Sequence, residues 1–327
     1  MDRRRFLAAV AAGVITAPVV AAAQPAGRMA RIGFLSPASA SDPRMQGLLD
    51  AFRKGLVALG YVEERTFTIV PRWAESRYEN LPRLAAELVA AKVDVILTVA
   101  VPAIRAARDA TRTIPIVMAS VVDPIATGLV ASLGHPGGNV TGLSNMAPDV
   151  TGKQLEMLKQ IVPRASAVAA LWNPGNPGNA PQLQAAENAA RSLGVHLQSL
   201  EARTVGDIDL AFATMSRQKV DGLMVFADVL LNEQRLHIAD LALTHRLPAV
   251  FGQEGPPGGL LTYSANTQDL FRRAATYVDR ILKGARPGDL PVEQAAKFDL
   301  VVNLKTARAL GLTIPPPLLL RADQVIE

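Results

Sequence analysis

The chain has 327 residues, of which 49% are hydrophobic and 19% charged, a balance typical of globular proteins rather than of disordered or fibrous ones. It contains no cysteine, which excludes thiol catalysis, iron–sulfur clusters and cysteine-rich zinc sites. The formal net charge is +5, but the sequence has no long run of basic residues, so nucleic acid is not an expected partner.

The first 23 residues have the order of features that defines an export signal. Three arginines at positions 3–5 precede an uncharged apolar run at 6–20, and a small-residue site for signal peptidase follows at 21–23. The apolar run contains a glycine and a proline and is shorter than the roughly 20 residues of a membrane span. We therefore expect cleavage near Ala23 and a soluble periplasmic protein. A membrane anchor is the alternative.

The same arginines bear on the route of export. Arg3 to Leu7 resembles the twin-arginine motif, in which two arginines, any residue, Phe and Leu follow in order. Asp2 and Ala8 depart from that motif. Both the twin-arginine route and general secretion therefore stay open.

Strands and helices alternate after the export signal. Short apolar runs at 31–36, 66–70, 93–99 and 114–120 predict buried strands. Helical spacing predicts helices at 42–59 and 79–91, and Pro102 fits the first turn of a third. Near-continuous apolar strands separated by helices indicate a parallel sheet covered on both faces.

The same alternation begins again in the second half of the chain. Strands are predicted at 166–172, 195–200, 220–226 and 248–251, with helices at 181–193, 205–217 and 229–245. Beyond the export signal, about 304 residues remain, which is more than one core usually holds. The fold class predicted is α/β, with two doubly wound parallel-sheet lobes.

An internal similarity supports two related lobes. Lys92-Val93-Asp94 opens a strand, a helix and then Ile114-Pro115, whereas Lys219-Val220-Asp221 opens a strand, a helix and then Leu247-Pro248. Chance is the alternative explanation, since such a lead-in to a strand is common. The shared order of elements favours a structural repeat.

A search for catalytic chemistry finds little. None of the four histidines has the spacing of a metal site, and no nucleotide-binding glycine motif or nucleophile elbow is present. Ser216 and Lys219 match a serine-acylase pattern, but without its companion motifs. The glycine-rich segment at 134–139 precedes a strand, which is the wrong order for holding a phosphate. No enzyme activity, cofactor or metal is therefore expected.

Polar residues do collect where the predicted strands end. Ligands of open parallel sheets bind beyond the carboxyl ends of the strands. Those ends lie at Ser36, 101–103 and 122–124 in the first half, and at 173–174, 227–228 and 253–254 in the second. Ordinary loop polarity is the alternative explanation, but several short polar loops on one edge suggest a binding site.

Several segments of the chain resemble those of a known family. Asp123-Pro124, Gly128-Leu129-Val130, the run Pro136-Gly137-Gly138-Asn139-Val140-Thr141-Gly142, Asn173-Pro174 and the late segment at 300–307 are similar to substrate-binding proteins of ABC transporters. The tryptophan- and tyrosine-type group, with the type I periplasmic-binding fold, is the most similar one. The resemblance covers about residues 30–314.

The resemblance implies two lobes joined by a hinge. Lobe 1 would comprise residues 30–144 plus 266–296, and lobe 2 residues 145–265 plus 297–327. The chain would cross between them near Ser144, near 263–266 and near Lys297. A small molecule would be held between the lobes, which close over it.

The family's pocket loops fall on eight residues of this chain. They are Ser36, Pro102, Asp123, Ser144, Asn145, Asn173, Asp228 and Glu254. Two positions depart from the family pattern: Val101 precedes Pro102 where relatives often have Thr, and Gln253 stands where many have Asp.

The pocket residues suggest a class of ligand. The three acids are suited to an ammonium, and the serines with helix N-termini are suited to a carboxylate, so we expect an amino acid. A small aromatic acid without an amine is the competing ligand. The implied partner is an ABC permease of the inner membrane, and we expect a monomer. A periplasmic sensory receptor of the same fold and an exported α/β enzyme are the alternative functions.

Overall fold

The computed structural model describes residues 29–253, 255 and 258–327. The expected export signal and Glu254 lie outside the described residues. Within the described part, no helix has both the length and the apolar character needed to cross a membrane.

Thirteen strands and eleven α-helices alternate along the described part of the chain. The strands are β1 Ala30–Ser36, β2 Phe67–Trp73, β3 Val95–Val99, β4 Ile116–Val121, β5 Val140–Ser144, β6 Ala167–Trp172, β7 His196–Glu201, β8 Gly222–Val225, β9 Ala249–Phe251, β10 Leu261–Ala265, β11 Glu293–Gln294, β12 Phe298–Asn303 and β13 Gln324–Ile326. The helices are α1 Pro43–Ala58, α2 Leu81–Ala90, α3 Val101–Ala110, α4 Ala147–Ile161, α5 Asn179–Leu193, α6 Val205–Gln218, α7 Val229–Glu233, α8 Arg235–Thr244, α9 Thr267–Leu282, α10 Leu304–Leu310 and α11 Pro316–Leu319.

The strands form two sheets, one in each lobe. The sheet of the first lobe is parallel throughout, in the order β11-β5-β4-β3-β1-β2. The sheet of the second lobe has the order β13-β12-β10-β9-β8-β6-β7 and is parallel except where β10 meets β12. The predicted fold class, an α/β protein with two parallel-sheet lobes, is confirmed.

Each sheet is covered by helices on both faces. In the first lobe Phe34 and Leu97 are fully buried under α1 and α9, while the alternate residues Leu35 and Ile96 are fully buried on the other face under α2 and α3. In the second lobe, α4 and α5 cover one face and α6 and α8 the other. This double burial explains why the strands read as continuous apolar runs rather than alternating ones.

The chain passes between the two sheets three times. It leaves the first sheet after β5, returns from β10 into α9, and leaves again between β11 and β12. Helix α9 packs on α1 so closely that a side-chain carbon on Gly55 would lie 2.5 Å from the carbonyl oxygen of Arg272. The first lobe is therefore completed by a segment that follows the second lobe's main body.

The Lys-Val-Asp segments occupy equivalent positions in the two lobes. Lys92 and Lys219 have left-handed backbones, with φ of 52° and 54°. Oδ2 of Asp94 accepts a hydrogen bond from the N–H of Arg31 at 2.7 Å, and Oδ2 of Asp221 accepts one from the N–H of Ser166 at 2.7 Å. In both lobes the aspartate therefore fixes the entry of the neighbouring central strand, as expected for a structural repeat.

The long helix predicted at 229–245 is interrupted. Asp228 caps α7, which ends after five residues, and the backbone turns at Gln234 before α8 begins. The prediction of one helix was wrong here because apolar spacing continues across the break. The N-terminus of the short α7 is instead capped by the side chain of Asp228.

Candidate functional site

A cleft lies between the carboxyl ends of the two sheets. From the first lobe it is lined by the start of α1, the turn from β3 into α3 and the end of β4. From the second lobe it is lined by the start of α4 and the loops after β8 and β9. It holds about 790 Å³ of empty space, counting the part that is open to solvent.

Asp228 is the acid at the centre of this cleft. It follows β8, is 2% exposed, and its side chain accepts five hydrogen bonds. Its Oδ1 receives them from Nδ2 of Asn173 at 3.1 Å and from the N–H groups of Leu230 at 2.9 Å and Leu231 at 3.5 Å. Its Oδ2 receives them from the hydroxyl of Tyr78 at 3.0 Å and from Nδ2 of Asn176 at 3.0 Å. A carboxylate has about four acceptor positions, so protein donors already occupy the Asp228 carboxylate.

Two opposing effects act on the charge of Asp228. Burial raises the pKa of the Asp228 carboxyl, and the hydrogen bonds from Asn173, Asn176 and Tyr78 work in the opposite direction. Burial together with the neighbouring Asp228 raises the pKa of the Tyr78 hydroxyl well above its usual value. Tyr78 therefore stays a neutral donor to the carboxylate.

A repeated Asn-Pro-Gly turn holds the side chain of Asp228 in place. Asn173, Asn176 and Asn179 are spaced by three residues and all are buried. Oδ1 of Asn173 accepts from the N–H of Gly175 at 2.9 Å, and Oδ1 of Asn176 accepts from the N–H of Gly178 at 3.0 Å, so each closes a turn. The Nδ2 atoms of Asn173 and Asn176 can therefore donate to Asp228.

Only the first of these asparagines was predicted from the sequence. Asn179 anchors the turn to the strand ends, because its Oδ1 accepts from the N–H of Asn173 and its Nδ2 donates to the carbonyl of Ala227. The doubled Asn-Pro-Gly pattern was the signal available for Asn176 and Asn179. Asn173 itself contacts Asp228 rather than lining the cleft.

The predicted residues of the first lobe have local partners. Ser36 is fully buried and its Oγ accepts from the N–H of Ala38 at 3.2 Å. Oδ1 of Asp123 accepts from the N–H of Ala126 at 2.9 Å within a turn. Neither side chain, nor that of Pro102, is among the described residues that line the cleft.

At the crossing after β5, Asn145 lines the cleft and Ser144 lies behind it. Nδ2 of Asn145 donates to Oγ of Ser120 at 3.3 Å, and its Oδ1 accepts from the N–H of Ala147 at 3.1 Å. Oγ of Ser144 accepts from the N–H of Met146 at 3.3 Å. Asn145 thus joins the end of β4, the crossing and the start of α4.

Several cleft residues are not among the eight predicted ones, and Arg44 and Gln253 are two of them. Arg44, in the first turn of α1, lines the cleft from the first lobe, and Gln253, after β9, lines it from the second. Among the described residues that line the cleft, Arg44 and Asp228 are the charged ones. They have opposite signs and come from opposite lobes.

Further hydrogen bonds join the two lobes. Glu233 of the second lobe accepts through Oε1 from the N–H of Ser39 at 3.0 Å and through Oε2 from the hydroxyl of Ser76. Together with the Tyr78–Asp228 hydrogen bond, these contacts hold the two lobes against each other. We refer to the contacts of Glu233 with Ser39 and Ser76 as the Glu233 latch.

The described residues contain no cluster of His, Asp and Glu suited to a metal ion. The cleft combines polar residues with apolar ones, to which Met45, Leu48 and Val150 contribute. Such a cleft can bind a small molecule with polar ends and an apolar body.

Comparison with known proteins identifies relatives of the whole fold. A family model described as ABC transporter substrate binding protein matches residues 38–326. A curated relative, the tyrosine-binding protein of Clostridioides difficile (strain R20291), is 26% identical over 272 residues, covering 83% of this chain and 78% of the relative.

Two solved structures bear on the arrangement of the lobes. An ABC domain from Streptococcus pneumoniae in complex with L-Trp has a TM-score of 0.85 at 28% identity, covering 91% of this chain and 100% of the other. A ligand-free, open substrate-binding protein from Clostridium difficile has a TM-score of 0.68 at 25% identity, with coverage of 91% and 99%. At similar identity and coverage, the likeness is greater to the ligand-bound structure.

Proposed function

The chain belongs to the family of ABC transporter substrate-binding proteins, and from that premise we propose that it is the periplasmic solute receptor of an ABC importer and closes its lobes over one amino acid. The observation that carries the ligand class is the pair of opposite charges in the cleft, Arg44 on the first lobe and Asp228 on the second. A zwitterion interacts favourably with both charges at once, and only when the lobes are together.

The ends of the ligand are assigned by charge. Its carboxylate lies towards Arg44 and the N-terminus of α3, where backbone N–H groups favour an anion. Its ammonium lies on the side of Asp228, and its side chain lies among the apolar residues. The relatives named for tyrosine and crystallised with L-Trp support an aromatic amino acid as the first candidate.

The closed arrangement is supported by two observations. The lobes are joined across the cleft through Tyr78–Asp228 and the Glu233 latch, and the fold is more similar to a ligand-bound relative than to an open one. The hinge lies at the three crossings, so that residues 30–144 with 266–296 move against 145–265 with 297–327. A few residues at the crossings absorb the backbone change.

The remaining assignments follow from the family and the sequence. Substrate-binding proteins deliver ligand to a membrane permease and are not enzymes, which agrees with the lack of catalytic motifs. Cleavage near Ala23 would release a soluble, monomeric periplasmic protein, with the permease as its partner. Three of the predicted pocket residues have a stated role in this proposal. Asn145 and Asp228 line the cleft, and Asn173 supports Asp228.

A thermal-shift screen of the mature protein tests the ligand class. The panel contains the twenty common L-amino acids together with the acids that lack the amine of Trp, Tyr and Leu. A specific amino acid at 100 times its dissociation constant should stabilise the protein by about 2.7 kcal/mol. Stabilisation by the amine-free acids alone would overturn the amino-acid assignment in favour of a small aromatic acid.

The Glu233 latch gives a prediction about closure. Glu233→Ala removes two cross-lobe hydrogen bonds without changing the cleft lining. Hydrogen bonds to a charged group contribute roughly 1.5–3 kcal/mol, and less where solvent screens them. We therefore expect the affinity for the ligand to fall about tenfold. Small-angle scattering should show a larger radius of gyration for the unliganded variant. The exposed Glu79→Ala is the control, and an unchanged affinity in both variants would contradict a role of Glu233 in closure.

A further inference from the structure

Gln253 lies at the carboxyl end of β9, beside the strand that carries Asp228. Its position is fixed by the preceding Gly252, whose N–H donates to the carbonyl of Val225 at 2.8 Å. A side-chain carbon on Gly252 would lie 3.1 Å from the N–H of Ala227 and from the carbonyl oxygen of Val225. The backbone therefore approaches β8 closely and presents the next side chain to the cleft.

The amide oxygen of Gln253 is a buried acceptor that none of the described residues satisfies. Oε1 of Gln253 is buried and accepts no hydrogen bond from the described part of the chain. A buried acceptor left without a partner destabilises a folded protein. A group retained in that state is expected to have a partner that arrives with the ligand or as water.

The contrast with Asp228 shows which acceptor the cleft offers. The Asp228 carboxylate already receives five hydrogen bonds from the protein, so it attracts a cation by charge but has no vacant acceptor position. Gln253 lines the same cleft, and its Oε1 receives no hydrogen bond from the described residues. A ligand ammonium beside both would be attracted by the first and hydrogen-bonded by the second.

We propose that Gln253 accepts a hydrogen bond from the ammonium group of the ligand and thereby makes the cleft selective for amino acids over the corresponding acids without an amine. The inference rests on the proposed function and assigns recognition of the ligand's amine to Gln253. An alternative partner is water, because Gln253 also borders a small side cavity with Asn232 and Arg235.

The test compares matched ligands on matched variants by calorimetric titration. The probes are L-Trp, L-Tyr and L-Leu, each with its amine-free analogue. Gln253→Met keeps the length of the side chain and removes the acceptor. We expect it to weaken amino-acid binding by about 30-fold, the effect of losing a hydrogen bond to a charged group. Binding of the amine-free analogues should change by less than about threefold, because they make no such bond.

Two further variants complete the test. Gln160→Met makes the same substitution at an exposed position of α4 and should leave both ligand classes unaffected. Gln253→Glu keeps the acceptor and adds a negative charge, so it should retain amino-acid binding and weaken the analogues further. This second variant keeps the proposal testable if the methionine variant does not fold.

The possible outcomes separate the two proposals. Equal loss of both ligand classes in Gln253→Met, with amino acids bound by the wild type, overturns the role of Gln253 alone and favours a bound water. Binding of the analogues but not of the amino acids by the wild type overturns both proposals, and so does binding of neither class.

Discussion

Replacing Asp228 by asparagine is expected to weaken ligand binding by about 30-fold to several-thousand-fold and to lower the melting temperature. Asparagine keeps the shape but offers an acceptor on only one of its two terminal atoms. Five donors converge on the carboxylate, three on Oδ1 and two on Oδ2, so the new amide NH₂ would face donors whichever way it turns. Breaking a buried, hydrogen-bonded charge group typically costs about 2–5 kcal/mol.

Asp123→Asn is the matched control, because Asp123 follows a strand end of the other lobe. Its Oδ1 accepts one backbone hydrogen bond, from Ala126, which an asparagine oxygen can still accept. We expect a small change in melting temperature and affinity within about threefold of the wild type. Calorimetric titration and thermal unfolding of both variants decide the matter. An Asp228→Asn protein that binds as tightly as the wild type would remove the electrostatic basis for an amino-acid ligand.

Gly142→Ala is expected to lower the stability of the first lobe by about 4 kcal/mol, since it adds both a steric overlap and a backbone strain. Gly142 lies in β5 with φ of +137°, which side chains rarely adopt. An added Cβ would lie 2.2 Å from the carbonyl oxygen and 2.6 Å from the nitrogen of Met118 on β4. Both atoms belong to backbone in the middle of the sheet, so neither can move away cheaply.

Gly138→Ala is the control, because Gly138 lies in the same run, residues 136–142. No atom lies within 4 Å of a Cβ at Gly138, so this variant should unfold close to the wild-type temperature. For Gly142→Ala we expect a drop of about 10 °C or more, from the usual relation between stability and melting temperature. Differential scanning calorimetry of the two variants makes the comparison, and equal melting temperatures would mean that β4 and β5 separate more easily than their register indicates.

The sequence was sufficient for those features of the fold that depend on local patterns. Apolar runs identified the strands, and their continuity indicated burial on both faces, as Phe34 and Leu35 show on opposite faces of β1. Gly194 ends α5 with a left-handed backbone, as a C-terminal glycine predicts. The Lys-Val-Asp repeat predicted an equivalence that Asp94 and Asp221 display in their backbone hydrogen bonds.

Features of the site that depend on long-range approach could not be read from local patterns. Tyr78 reaches Asp228 across 150 positions of sequence, and Ser76 reaches Glu233 across 157. Strand-end reasoning identified Asp228 but could not show that the protein itself occupies its acceptor positions. The vacant oxygen of Gln253 is likewise visible only once its surroundings are known.

The interleaved path of the chain has a consequence for its synthesis. When the ribosome has added residues up to the end of β5, the first lobe still lacks α9, which covers α1, and β11, which pairs with the edge of β5. Both arrive only after β6 to β10 have been made. A nascent chain therefore carries an uncovered apolar helix face and an open strand edge for more than a hundred residues of elongation, and such surfaces are the ones that chaperones bind. The N-terminal lobe is the first to begin folding but cannot be completed until the C-terminal tenth of the chain is being made.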